Sequence, residues 1–134
     1  MEVADIFSFD VIADAAKGAK LQLRHPVTKE LLTHNEKPIC LILLGLDSPQ
    51  AQAAQIANAN ARLDASAGRL TAELLSEEMY NVLVACTTGW ENIYEGGKPV
   101  EFSPAEARSR YKKFPWLFEQ ANKFIGDRAN FTKA

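Results

Sequence analysis

The residues best suited to chemistry are few in this sequence, and none stands in a working constellation. His25 and His34 are the only histidines, both in a polar stretch beside Pro26. As metal ligands they would need further Cys or His at ligand spacing, and Cys40 is the single nearby candidate. A solvent-facing histidine at a proline turn is the expected role. No serine sits in a Gly-x-Ser-x-Gly elbow, and Cys40 and Cys86 have no protease-like surroundings. Gly96-Gly97-Lys98 lacks the upstream glycine spacing of a phosphate-binding loop and is followed by Pro99 instead of Ser or Thr. Glu77 and Glu78 are neighbours, so on a helix they diverge by about 100° and cannot work as an acid–base pair. Their expected role is to complement a helix dipole near the start of that helix. The sequence therefore points to no enzyme, no metal and no cofactor, and to a protein that works by binding.

A second kind of chemistry lies in the last quarter. From Arg108 onward the cations Arg108, Arg110, Lys112, Lys113, Lys123, Arg128 and Lys133 face only Glu119 and Asp127. Tyr111, Phe114 and Trp116 are interleaved with them, the ingredients of a single-strand or RNA surface. Against this, the net charge of the chain is −2, which disfavours a general nucleic-acid coat or a membrane-surface binder. The aromatics also flank a helix–helix corner, where such residues usually form core. Docking onto an acidic protein surface suits these residues at least as well.

The elements that must position these groups fit one domain, since 134 residues is an ordinary domain length. Such a chain buries roughly two-thirds of its extended surface and needs no disulfide or metal staple. Hydrophobic content of 47% and charged content of 24% are those of a globular protein. Cys40 and Cys86 each sit in apolar stretches and are expected to be reduced core residues. Met1-Glu2-Val3-Ala4-Asp5 carries acids where a secretion signal needs cations. The apolar run Ile39–Leu44 is far too short for a bilayer. The expected location is the cytoplasm of the cell that makes the protein, with no membrane partner.

Along the chain, Phe9–Lys17 reads as a short helix capped by Ser8 and ended by Gly18, with a strand over Phe7, Phe9 and Val11 as the competing reading. Lys20–Arg24 alternates like a half-buried strand, and Pro38–Leu44 reads as a covered one. They should pair antiparallel across a long irregular loop. Asp47-Ser48-Pro49 starts a helix running to about Asp64. Its apolar face is thin, with Ile56 and Leu63 its only large members, so it packs closely or is shared with a partner chain. Leu75, Met79, Val82, Leu83 and Cys86 mark one face of the next helix, which stops near Thr87-Thr88-Gly89. Gly96-Gly97-Lys98-Pro99 makes a turn. Ser103-Pro104-Ala105-Glu106 is a capping box with proline at the first helical position. Pro115 starts a final helix that carries Leu117, Gln120, Ala121, Phe124, Ile125 and Arg128 on one face, and Thr132-Lys133-Ala134 should fray. No internal repeat stands out. The expected fold is α+β in a single domain, 1–134: a small antiparallel β element within 1–46, then a mainly α-helical half over 47–134.

Several short motifs, taken in order, carry a family resemblance. They are Leu23-Arg24-His25-Pro26-Val27-Thr28, Leu44-Gly45-Leu46-Asp47-Ser48-Pro49, Thr88-Gly89-Trp90-Glu91-Asn92 and Gly97-Lys98-Pro99-Val100-Glu101-Phe102-Ser103. Pro115-Trp116-Leu117 and Gly126-Asp127-Arg128-Ala129-Asn130-Phe131 follow. From about Leu21 to Phe131 the chain resembles the tail assembly chaperones of long-tailed bacteriophages and prophages. One departure is Lys29, in Thr28-Lys29-Glu30, where a turn glycine is expected. The resemblance implies a protein that coats the tape-measure protein, hands it to tail-tube subunits, acts in the host cytoplasm and is missing from the mature virion. A longer frameshifted form is common in such proteins. They bring no catalytic residues and no cofactor. Many weakly bound copies, self-association included, would suit the task. The nominated partner-binding residues are the aromatic and apolar side chains Trp90, Tyr94, Tyr111, Trp116, Leu117 and Phe124, with the cations Arg108 and Lys112.

Overall fold

The computed structural model describes residues 1–64 and 70–132, so Lys133 and Ala134 lie outside the described residues. Its strands are β1 (Ala19–Gln22), β2 (Thr33–His34), β3 (Lys37–Pro38), β4 (Cys40–Leu43), β5 (Thr87–Glu91), β6 (Tyr94–Glu95) and β7 (Lys98–Pro99). Its helices are α1 (Val11–Lys17), α2 (Pro49–Asp64), α3 (Ala72–Cys86), α4 (Pro104–Lys113) and α5 (Pro115–Ile125). The class is α+β, as the residue pattern implies.

A three-stranded antiparallel sheet in the order β1-β4-β5 organises the molecule. Alternation in β4 sends Leu41 and Leu43, both fully buried, toward the helices. Leu83 and Cys86 of α3, Ala107 and Tyr111 of α4, and Leu117, Ala121 and Ile125 of α5 close over them as one core. On the opposite face Lys20 of β1 reaches Glu91 of β5 at 2.9 Å. The β1–β4 pair with its long loop is as expected. The third strand is a correction: Thr87–Glu91 lies in the half read as helical, directly after α3. A helix ending in Thr-Thr-Gly switches period there, and its β-branched Thr87 is buried on the core side.

Local chemistry explains most of the element ends. Ser103 caps α4, its hydroxyl accepting from the Glu106 amide at 3.0 Å. Ser48 caps α2 by accepting from Ala51 N–H at 3.2 Å. The cap of α1 is Asp10, accepting from Ala13 N–H at 3.0 Å, and not Ser8, which ends a separate 3-10 turn. Lys29 does stand where the chain needs a positive φ, at 65°, a conformation uncommon for residues other than glycine.

Burial shows which side of each long helix is covered. In α2 the large residues Ile56 and Leu63 are 60% and 82% exposed, and the buried contact is Ala51. Small residues let α2 approach α3 closely, leaving the bulky ones outside. In α3 the expected face splits: Leu83 and Cys86 are buried, whereas Leu75 and Met79 point outward. Glu77 and Glu78 lie beyond the first turn, where Glu73 is the dipole-complementing acid. They serve as ion-pair partners instead.

Gly45 permits a close approach of the chain to α1 and the C-terminal segment. A Cβ there would stand 2.7 Å from the Ala15 Cβ and 3.1 Å from the Phe131 ring. The Gly45 N–H donates to the Ala15 carbonyl at 3.0 Å, so α1 and the C-terminal segment both seat against this residue.

Both cysteines are free and buried. Burial pushes the Cys86 thiol up to about 11, and also raises that of Cys40. Thiolate is the reactive form, so Ellman's reagent at pH 8 is expected to modify neither cysteine in the folded protein and both in denaturant. Rapid labelling of the native protein would contradict this burial.

Candidate functional site

The outward-turned half of α3 and the facing side of α2 leave an apolar groove of about 340 Å³. Leu75, Met79 and Val82 of α3 form its floor with Ala59 of α2 and Leu46 of the preceding loop. Leu75 is 43% exposed and Met79 45%. Leu46, partly exposed, continues the apolar surface toward Ile56 along a neighbouring depression. The walls are amides, with Gln55, Asn58 and Asn122 in the lining.

The groove is held open by polar ties between its two helices. Asn58 donates to the Glu78 carbonyl at 3.2 Å and accepts from the Asn81 side chain at 2.9 Å. Arg62 donates two hydrogen bonds to the Glu78 carboxylate, Nε to Oε2 at 2.6 Å and Nη2 to Oε1. This bidentate pair is planar recognition of the kind only arginine supplies. Glu78 is buried at the back of the groove. The Arg62 guanidinium holds its carboxyl below the ordinary carboxylate value.

Three other acids are depressed in the same direction. Lys112 and then Arg108 lower Glu77, Arg110 lowers Glu95 and Arg128 lowers Asp47. A carboxyl whose folded value is depressed stabilises the fold above its unfolded value, about 4. That contribution is lost as pH falls through the lower folded value. Urea midpoints are therefore expected to fall steadily as pH drops below about 4, and Glu78→Gln is expected to flatten part of that slope. An unchanged slope in the variant would remove the Arg62–Glu78 pair from the account.

The nominated residues divide sharply by position. Tyr111 at 1% exposure and Leu117 at 8% are core, which corrects their reading as partner anchors. Phe124 and Trp116 are half-buried and pack against the same core. Arg108 and Lys112 are engaged by Glu77, Lys112 at 2.8 Å. Arg110 pairs with Glu106 at 2.7 Å and with Glu95, and Arg128 with Asp47 at 2.6 Å. The basic quarter is thus largely neutralised by acids from elsewhere in the fold, which removes the electrostatic footprint of a nucleic-acid surface. Trp90 and Tyr94 line a second cleft that shares no residue with the groove.

The histidines have structural partners. His25 Nδ1 accepts from the Val27 and Thr28 amides at 3.1 Å, closing a turn. The His34 ring lies on Tyr94 with centroids 4.4 Å apart. Among the described residues no three His, Cys, Asp or Glu side chains gather as a metal site, and no helix is long and apolar enough to cross a membrane. No protein-family model, curated protein or solved structure matches the chain.

The sequence puts Leu75, Met79 and Val82 on one helical face without showing which part of that face is covered. Sequence reasoning missed Arg62, Asn58 and Asn122 altogether. The available signal was the surplus of amides in α2, which an inward-facing helix would not carry.

Proposed function

We propose that this chain is a phage tail assembly chaperone, a non-catalytic protein that grips apolar helical segments of the tape-measure protein. The observation that carries the reading is the open groove, with Leu75 and Met79 exposed side by side over a floor of Val82 and Ala59. Helix-in-groove recognition needs such a stripe facing outward, and the unbranched thioether of Met adapts to varied partners. The order of the motifs from Leu21 to Phe131 adds the phage context. On this reading the protein works in the host cytoplasm, presents the tape-measure protein to tail-tube subunits and is left out of the finished virion.

Coexpression with the cognate tape-measure protein tests the idea. The expected result is a soluble complex that copurifies and survives high salt, because the groove walls are amides and its one ion pair is internal. A tape-measure protein that stays insoluble and unbound would overturn the proposal. Mass spectrometry of purified particles is expected to find the tail-tube subunit and not this chain. Its presence there in stoichiometric amount would favour a structural tail component.

A further inference from the structure

We infer that Arg128, just beyond α5, is a positioning residue for the α2–α3 groove and acts through Asp47 on Leu46. The inference rests on the reading of that groove as the seat of an apolar helix. Among the described residues of the groove lining, Leu46 alone lies outside a helix. It lines the groove, the neighbouring depression beside Ile56, and a small recess shared with Arg128 and Phe131. One side chain thus joins the binding surface to the C-terminal segment.

Leu46 sits in the connection between β4 and α2, so its place depends on ties to other elements. The Gly45 N–H donates to the Ala15 carbonyl at 3.0 Å, and the Leu46 N–H donates to the Ile125 carbonyl at 2.9 Å. Next to it, the Asp47 carboxylate accepts from Arg128 Nε at 2.6 Å and Nη2 at 3.0 Å. A bidentate pair fixes orientation as well as distance. The Asp47 carbonyl accepts from the Gln52 side chain at 3.0 Å, so Asp47 is held at backbone and carboxylate together. Two of these ties, through Ile125 and Arg128, come from the end of α5 and the segment after it.

Arg128 is itself held in place. It opens a 3-10 turn, Arg128–Asn130, whose Ala129 N–H donates to the Asp127 carboxylate at 3.0 Å. Asn130 donates from its side chain to the Phe124 carbonyl at 3.0 Å. The Phe131 ring meets Phe124 edge-on at 5.4 Å, and a Cβ added to Gly45 would stand 3.1 Å from it. The segment after α5 is thus a clasp, fixed to α5 at one side and to the Leu46 loop at the other. Its side chains are placed before a partner arrives, which lowers the cost of binding. An exposed ion pair contributes little to stability by itself, and the Arg128 side chain is 68% exposed. What gives this pair a role in binding is its address, one residue from the apolar groove lining.

Titration of the full chain with a fluorescent apolar amphipathic helix tests this, with methyl NMR of Leu46 alongside. Arg128→Ala is expected to weaken binding about threefold, within the range an ion pair of this kind can supply. It should also shift the Leu46 methyl signals and leave the thermal midpoint near that of the wild type. In a Leu46→Ala background, Arg128→Ala is expected to change the affinity no further, because the tie then has no side chain to place. A merely structural role would give the same loss in both backgrounds. Full affinity in Arg128→Ala, unmoved Leu46 methyls, or an equal loss with and without the Leu46 side chain would each overturn the inference. In those cases the wild type still binds the helix and the groove reading stands. A wild type that binds no helix would overturn the groove reading and this inference together.

Discussion

Replacing Leu75 and Met79 together by serine is expected to leave the unfolding midpoint near that of the wild type and to weaken capture of an apolar helix at least roughly tenfold. Both side chains are nearly half exposed, and surface substitutions away from buried networks usually change stability by about 0.5 kcal/mol or less. The loss falls on binding because the two residues supply the groove floor nearest to solvent. The readout is retention of an apolar amphipathic helix on the immobilised protein, with thermal unfolding followed in parallel. Full retention by the double variant would move the site away from the groove. A collapse in stability would mean that these residues hold the fold and not a partner.

Tyr111 gives the opposite pattern. Its hydroxyl lies 2.8 Å from the Thr87 hydroxyl, which in turn donates to the Leu83 carbonyl at 2.7 Å. With that proton committed, the phenol must be the donor to Thr87. Burial pushes the phenol up to about 12, so it stays protonated as a donor across the working pH range. Tyr111→Ala is expected to cost about 3–5 kcal/mol, as large aromatic truncations in cores do. Tyr111→Phe should cost about 1 kcal/mol, the net worth of one hydrogen bond, since the Thr87 hydroxyl keeps its bond to Leu83. Urea unfolding of the two variants separates ring from hydroxyl. A partner anchor would instead lower binding and spare stability.

How much of this the residues announce depends on how local the signal is. Capping chemistry is local, and Ser48, Ser103 and Pro115 mark their helices correctly. The alternation in β1 and the apolar run of β4 likewise depend on neighbours in sequence. β5 was hidden because a five-residue strand, Thr87–Glu91, directly after a helix offers no turn to announce it. Its identity comes from pairing with β4, a tertiary fact. The covered part of the α3 face was hidden for a related reason. Spacing places Leu75 and Met79 on the same side as Leu83, but periodicity does not say how far along its length a helix stays covered. The pairing of the basic quarter was not legible because its counter-charges Asp47, Glu77 and Glu95 are distant in sequence. The aromatic nominees were read by type alone, so core residues such as Tyr111 and exposed ones such as Tyr94 were indistinguishable until burial separated them.

The position of β5 also sets the order in which the molecule can be completed during synthesis. β4 is the central strand, and its second neighbour emerges only after both long helices of the groove. The covering residues Tyr111 and Ile125 come later still. Non-local pairing of this kind makes folding slow and late, and until then Leu41 and Leu43 of a nascent chain have nothing over them. Full cover for these two leucines therefore waits until α3, α4 and α5 have all been made.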